Sequence, residues 1–368
     1  MTDAEDVRVH VCMREPFARP GGLHSYVRSL VRGQTEIGLD PIVVDEVRSR
    51  GAFAVAHGAL PTLEPGTWRE AVAEYHFAHA AFPLLFRSPP PWRRAQRVFH
   101  FHGPWAMEGR VQGDSRLRSA AKRLLERAVH TRFDTFITDS RAFREVLVER
   151  YGVPASRVHT VSPGVDVARF RVVESRADAR VALGLDPDGL WIVAVRRLEP
   201  RMGLHDAIRA LELLPDSRLA LAGQGSLETE LRDFATQRGV GDRVRFLGRV
   251  PDHDLPHVYR AGDVSIVPTV RLEGFGMVVL ESMASGTPVV ATNVGGLMEA
   301  MGPFAPDHAV PAGSPQALAE AVARAAADGE LPARVLRYAE GRSLTEMAHE
   351  VERVIQEARH QERGHRRA

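Results

Sequence analysis

Apolar residues in this chain fall into short, β-branched runs. Nearly every run ends at a glycine- or proline-bearing turn, followed by apolar residues at helical spacing. Val7–Met13 is the first run; beyond Pro20-Gly21-Gly22, the residues Leu23, Tyr26, Val27, Leu30 and Val31 recur with the period of a helix. Pro41–Val44, Arg97–His102, Thr135–Thr138 and Val158–Val161 read as further strands, and Ser115–Arg132 and Ser140–Tyr151 as helices. Residues 48–95 are weakly patterned, with a helix-like piece at Trp68–Phe82. Gly164–Leu185 is polar and suits a linker with a lead-in helix, after which the alternation restarts. Strands are expected at Leu190–Val195, Arg218–Leu221, Val244–Leu247, Val264–Val267, Val289–Ala291 and Ala309–Val310. Helices are expected at about His205–Leu214, Leu227–Gly239, Leu255–Ala261, Met277–Ala284 and Pro315–Ala327, then as a long amphipathic run, Leu344–Glu362. Strand, loop and helix in repeated succession predict α/β class: two doubly wound halves with ligand sites at the carboxyl ends of their strands. Two such edges facing one another would form an interdomain cleft.

Length refines this picture. A chain of 368 residues exceeds one ordinary core, so two domains are expected, residues 1–165 and 166–343, with the helix at about 344–362 packing back on the first. A net charge of +1 argues against a nucleic-acid-coating protein. The single cysteine, Cys12, excludes an internal disulfide and a cysteine metal cluster, and its apolar run predicts a buried thiol. The acidic start MTDAEDVRVHV does not read as a signal peptide, and no window is apolar for long enough to span a bilayer, so a cytoplasmic location is expected. The stretch RHQERGHRRA reads as a frayed tail. Lys122 is the only lysine, so arginine must supply positive charge.

Candidate chemistry concentrates in Pro268–Glu299, PTVRLEGFGMVVLESMASGTPVVATNVGGLME. A Glu-Gly-Phe-Gly turn precedes the helix at Met277–Ala284, and the Gly276-Met277-Val278 amides and helix dipole form an anion site. Glu273 stands before that helix and Glu281 inside it, so a diphosphate on the helix N-terminus would have a carboxylate on either side. Two hydroxyl-bearing rings joined by a diphosphate describe a nucleotide sugar. Arg197 and Arg201, flanking the loop after Leu190–Val195, are candidate diphosphate cations, against the alternative that they and Arg196 are merely solvated. Leu247-Gly248 could offer backbone groups to a flat base. His100 and His102 share one strand face, but no third ligand lies at convincing spacing, so no metal is expected, and no Asp-x-Asp pair suggesting a metal-dependent route is read. The basic face Arg116, Arg118, Lys122, Arg123 and Arg127 is a candidate for weak peripheral contact with an anionic lipid or polyol phosphate, although a solvated face explains it as well.

These motifs resemble those of retaining glycosyltransferase family 4. The resemblance rests on Glu273-Gly274-Phe275-Gly276 through Glu281, then Ser285-Gly286-Thr287-Pro288 and Gly295-Gly296. Pro20-Gly21-Gly22, His102-Gly103-Pro104, Ser162-Pro163-Gly164, Arg197-Leu198, Gly223-Gln224-Gly225 and Phe246-Leu247-Gly248 extend it over most of the chain. It implies a GT-B fold of two facing Rossmann-like domains, and metal-independent transfer of a sugar from a nucleotide-diphosphate donor, UDP on family frequency, with retention. It further implies that Glu273 and His102 meet the transferred sugar and that Glu281 binds the ribose. Gly274, Phe275, Gly276, Met277 and Val278 would bind sugar and diphosphate, with Gly22 approaching the diphosphate and Arg197 as the first basic residue. Met202 departs from the pattern by replacing the usual lysine, leaving Arg201 as the local substitute, and Ser162 replaces an asparagine. No cofactor is expected beyond the donor, and the acceptor would be a small natural-product-like or lipid-linked molecule. A UDP-sugar 2-epimerase and a catalytically silent nucleotide-sugar-binding protein are the rival readings.

Overall fold

The computed structural model of the chain describes residues 7–12, 22–47, 52–57, 71–76, 78–81, 83–86, 95–111 and 113–365. They fall into two units: Met1–Gly164 with Leu344–Ala368, and Val165–Ser343. Gly21, with the loop before Gly22, and most of residues 48–95 lie outside the described residues.

The first unit's strands are β1 (Val7–Cys12), β2 (Asp40–Val47), β3 (Ala52–His57), β4 (Val72–His76), β5 (Gln96–Phe101), β6 (Thr135–Thr138) and β7 (Val158–Thr160). Its helices are α1 (Gly22–Glu36), α2 (Ala78–Ala81), α3 (Pro83–Phe86), α4 (Trp105–Val111), α5 (Arg116–His130) and α6 (Arg141–Glu145), the last continued by a π-helical turn at Val146–Arg150. The sheet order is β3-β2-β1-β4-β5-β6-β7, parallel except for β2 against β3. β4 corrects the helix-like reading of Trp68–Phe82. Its sequence VAEYH is buried throughout, so Glu74 and His76 are polar residues inside a central strand, and hydrophobic pattern alone cannot find such a strand.

One face of this sheet is conventional. Val7, Val9, Val11, Ala73, Tyr75, Phe99 and Phe101 pack into an apolar core with Phe133 and Phe136. Strand alternation puts Arg8, His10, Glu74, His76 and His100 on the opposite face, where all are buried. Parallel register aligns them, with His10 beside Glu74 and His76 beside His100.

The second unit runs α7 (Val167–Phe170), α8 (Arg176–Ala182), β8 (Leu190–Val195), α9 (Leu204–Glu212), β9 (Ser217–Ala222), α10 (Glu228–Gln237), β10 (Val244–Gly248), α11 (Leu255–Ala261) and β11 (Val264–Val267). It continues with α12 (Met277–Ala284), β12 (Val289–Thr292), α13 (Leu297–Met301), α14 (Ala305–His308), β13 (Ala309–Val310), α15 (Pro315–Ala327) and α16 (Leu331–Glu340). Its sheet is wholly parallel, in the order β10-β9-β8-β11-β12-β13. Strand order reverses between β8 and β11, so the loops leaving those two strands meet at the switch point where such sheets bind ligands.

The chain returns to the first unit as α17 (Leu344–His365), which packs on α1. Gly33 makes the approach possible, because a Cβ there would collide with the Leu344 carbonyl. Buried Arg8 pairs with Glu352 of α17. α17 is regular to His365, which corrects the expectation of a frayed tail up to that residue. Among the described residues, no helix is long and apolar enough to cross a membrane.

Candidate functional site

In the second unit, the β8 and β11 loops are locked together before any ligand is considered. Gly203 has φ +69°, and a Cβ there would strike the Pro268 carbonyl; Val270 N–H donates to the Arg201 carbonyl at 2.9 Å. Only glycine meets both demands, which accounts for the Met202-Gly203 step. Gly295 and Gly296 support Glu273 from behind: the Gly296 amide donates to the Glu273 carbonyl at 3.1 Å, and a Cβ on Gly295 would collide with that carbonyl. Leu272, immediately before, holds φ at +53°, a strained value for leucine.

The Glu273 carboxylate faces Arg196. The two form an ion pair, and Thr269 Oγ1 donates to the same carboxylate oxygen at 3.1 Å. Burial pushes the Glu273 carboxyl up, but the charge and hydrogen bond of Arg196, then Arg201 and Thr269, outweigh it and hold the group below its ordinary range. Arg196 also reaches Met202 Sδ at 3.0 Å, while its Nε is buried without a hydrogen-bond partner. Arg201 Nη1 donates to the Leu272 carbonyl at 2.6 Å. Arg197 is exposed, and no described residue bonds its side chain. Arg196, for which the sequence offers only the solvated alternative it shares with Arg197 and Arg201, is therefore the arginine that holds Glu273. Continuing the alternation of β8 one step past Val195 separates it from its exposed neighbour.

Phe275 is buried and anchors the turn. Gly276, at φ +85°, caps α12 and leaves the first-turn amides at Met277 and Val278 without carbonyls one turn back to receive them. One turn into the helix, Glu281 Oε2 accepts from Tyr259 Oη at 2.7 Å. Burial first, then Glu281, raises the Tyr259 hydroxyl well above its ordinary range, so it remains a donor. The structure thus groups Glu273, Gly274, Phe275, Gly276, Arg201 and the α12 residues on one sheet edge. Leu247 lies on β10, at the far edge of the sheet, with its side chain packed toward Trp191 and Ala220.

In the first unit, Gly22 opens α1, is exposed, and has nothing within 4 Å of where a Cβ would sit. His102 follows β5 and is half-buried, its ring 4.4 Å from that of Tyr26. Its Nε2 lies 3.1 Å from His76 Nδ1. His76, His100 and His102 bring ring nitrogens within 4.8 Å of one another. The expectation that His100 and His102 lack a third imidazole neighbour is corrected, because β4 was not recognised. Lys122 is tied down locally, paired with Asp114 and 4.6 Å above the Trp105 ring.

Two family models match the chain, Glycosyltransferase Family 4 over residues 20–169 and Glycosyl transferases group 1 over residues 175–342. The chain belongs to this glycosyltransferase family. D-inositol 3-phosphate glycosyltransferase 2 of Catenulispora acidiphila is 38% identical over 205 residues, which is 52% of this chain and 45% of the relative. The D-inositol 3-phosphate glycosyltransferase of Acidothermus cellulolyticus is 42% identical over 181 residues, 46% of this chain and 40% of the relative. The chain thus spans less than half the length of these relatives. Sucrose-phosphate synthase from Thermosynechococcus elongatus superposes with a TM-score of 0.74 at 21% identity, covering 95% of this chain and 98% of that one. HepE from Anabaena, solved with UDP-glucose, gives a TM-score of 0.73 at 19% identity, covering 95% and 99%. The fold is GT-B, as the motifs implied.

Within that family frame, position 202 is occupied by a methionine that touches Arg196 rather than by the expected lysine. Besides Asp252-His253-Asp254, in the turn before α11, the chain holds another Asp-x-Asp that the sequence reading overlooked, Asp186-Pro187-Asp188. It lies before β8, away from the glycine loops: the Asp188 amide donates to Asp186 Oδ1 at 3.0 Å, and Asp186 pairs with Arg218 at 2.9 Å. These contacts make it a turn.

Proposed function

We propose that the chain moves a sugar from a nucleotide-diphosphate donor, with UDP the first candidate, to an acceptor hydroxyl, with retention and without a metal ion. The observation that carries this reading is Glu273, kept as a carboxylate by Arg196 and Thr269 beside the open N-terminus of α12. Arg197, Arg201 and the Gly276, Met277 and Val278 amides would take the diphosphate, supplying the charge a metal would otherwise supply. Glu281, steadied by Tyr259, would accept from the ribose hydroxyls, and Leu247 would offer backbone groups to the base. Glu273 would meet the transferred sugar, with Gly274 and Phe275 beside it. In the reaction the bond from anomeric carbon to phosphate oxygen breaks. The acceptor oxygen bonds to that carbon on the same face, and its proton passes to the departing phosphate.

The names of the curated relatives put a phosphorylated polyol first among acceptors. Helix α5 supports an anionic or lipid-linked alternative, since Leu117 and Leu124 are exposed beside Arg116, Arg118 and Arg123.

The test incubates UDP-, GDP- and dTDP-sugars with and without D-inositol 3-phosphate, with chelator, and reads anomeric configuration by NMR. Glu273→Gln should lower kcat by at least about a hundredfold while donor affinity changes by less than about threefold. An epimerised donor formed without acceptor, or transfer unaffected by Glu273→Gln, would overturn the proposal.

A further inference from the structure

The polar face of the first sheet contains a hydrogen-bonded chain whose polarity can be worked out atom by atom. It starts at Gln34 on α1. Gln34 Nε2 lies 2.8 Å from Glu74 Oε1 and 3.3 Å from Glu352 Oε1, and carboxylates only accept, so the amide group faces both acids. The Gln34 oxygen is thereby turned toward His10, whose Nε2 must donate to it across 2.7 Å. Neutral His10 then has a lone pair on Nδ1, and it accepts from His76 Nε2 at 2.9 Å. Neutral His76 in turn accepts on Nδ1 from His102 Nε2 at 3.1 Å. The rings of His76, on β4, and His102, just past the end of the adjacent β5, lie 13° from parallel. Burial acts first on all three imidazoles and lowers their basicity, in keeping with neutral rings, while Glu74 is held below its ordinary range: burial opposes ionisation, but the hydrogen bonds from His100 and Gln34 favour the carboxylate.

We infer that Gln34, His10 and His76 are positioning residues that lock His102 as the tautomer protonated on Nε2, leaving its Nδ1 lone pair as a fixed acceptor at the carboxyl end of β5. A histidine's free nitrogen takes the role left by the bond its other nitrogen makes. Here that bond is specified through three side chains, Gln34, His10 and His76, from a carboxylate on β4, with α17 contributing the second acid. The accounting also bears on the three clustered imidazoles. His76 has both nitrogens engaged by His10 and His102, and His100 has both engaged by Glu74, at 2.7 Å, and Tyr26, at 3.1 Å. A cation could not take all three rings without breaking these bonds.

The consequence for turnover rests on the sugar-transfer reading above; the tautomer does not. The experiment labels histidine imidazoles of the full chain with ¹⁵N and assigns His102 by its loss in His102→Gln. Expected is one pyrrole-type nitrogen at Nε2 and one pyridine-type nitrogen at Nδ1. His76→Leu should scramble that pattern and lower kcat roughly 10–100-fold with little change in KM, the range over which partners that orient a functional imidazole matter. His76→Gln retains one donor and one acceptor and should restore both readouts. A wild-type His102 protonated on Nδ1 overturns the inference even if no variant folds. So does an unchanged pattern in His76→Leu, or stoichiometric zinc binding by wild type that His76→Leu abolishes. A correct tautomer in a chain that transfers no sugar would sink the proposed function alone.

Discussion

Replacing Arg196 by leucine tests the electrostatic centre of the second unit. Breaking a buried ion pair by removing one member costs about 3–5 kcal/mol, because the other charge is left uncompensated. Two features reduce that here. Thr269 and Arg201 still act on Glu273, and the unpartnered Arg196 Nε, an existing penalty of about 1–3 kcal/mol, disappears with the side chain. The expected loss is about 1–3 kcal/mol at neutral pH. Its pH dependence follows from Glu273, whose depressed pKa contributes stability above the unfolded value and loses it as pH falls through the folded one. In Arg196→Leu burial is less opposed and the folded pKa rises, so the deficit is full near neutrality and shrinks on acidification as the carboxylate takes up a proton. The double variant Arg196→Leu/Glu273→Gln removes the orphaned charge and should recover at least about 1 kcal/mol. Trp191, the only tryptophan of residues 165–343, reports unfolding of this unit by fluorescence in a background where Trp68, Trp92 and Trp105 are phenylalanine. Simple additivity of the two substitutions, or a deficit that grows on acidification, would refute the reasoning.

Three other outcomes are expected. Tyr259→Phe removes the 2.7 Å bond to Glu281 and should weaken UDP binding about fivefold by calorimetry, for a loss of about 1 kcal/mol; unchanged affinity would separate Glu281 from the ribose. Gly203→Ala meets both a left-handed φ and the Pro268 carbonyl, and should cost more than about 2 kcal/mol by Trp191 fluorescence, whereas Gly22→Ala, in open space, should stay within about 0.5 kcal/mol. Leu117→Ser with Leu124→Ser should reduce sedimentation with anionic vesicles at low salt at least roughly threefold without shifting Tm, since those side chains are 82% and 67% exposed.

Much of the fold was legible because most strands are continuous apolar runs closed by glycine or proline, as parallel strands buried on both faces must be. Leu255–Ala261, Val264–Val267, Met277–Ala284 and Pro315–Ala327 have the bounds that pattern and breakers give. β4 was illegible for the converse reason, being polar where its neighbours are polar too, with its partners far away in sequence. The same fact hid His76 and Glu74 and with them the chain behind His102. In the candidate site, Glu273, Glu281 and the α12 turn were visible as local spacing. Arg196 and Tyr259 were not, because their significance lies in what they touch across the sheet edge. Spacing alone is also no guide to Asp186-Pro187-Asp188, which has the Asp-x-Asp form but whose contacts make it a turn.

The return of α17 to the first unit has a consequence for biosynthesis. Arg8 and Glu352 are separated by 344 positions, a stretch that takes roughly 20–70 s to synthesise at ordinary ribosomal rates. During that interval β1 is already made, yet the helix that covers the sheet's polar face does not exist. Residues 165–343 are contiguous and need no such wait, so the unit made second is the first able to finish folding. The nascent amino-terminal half must meanwhile keep Arg8, His10 and Glu74 hydrated, which disfavours premature collapse onto that face until its proper cover arrives.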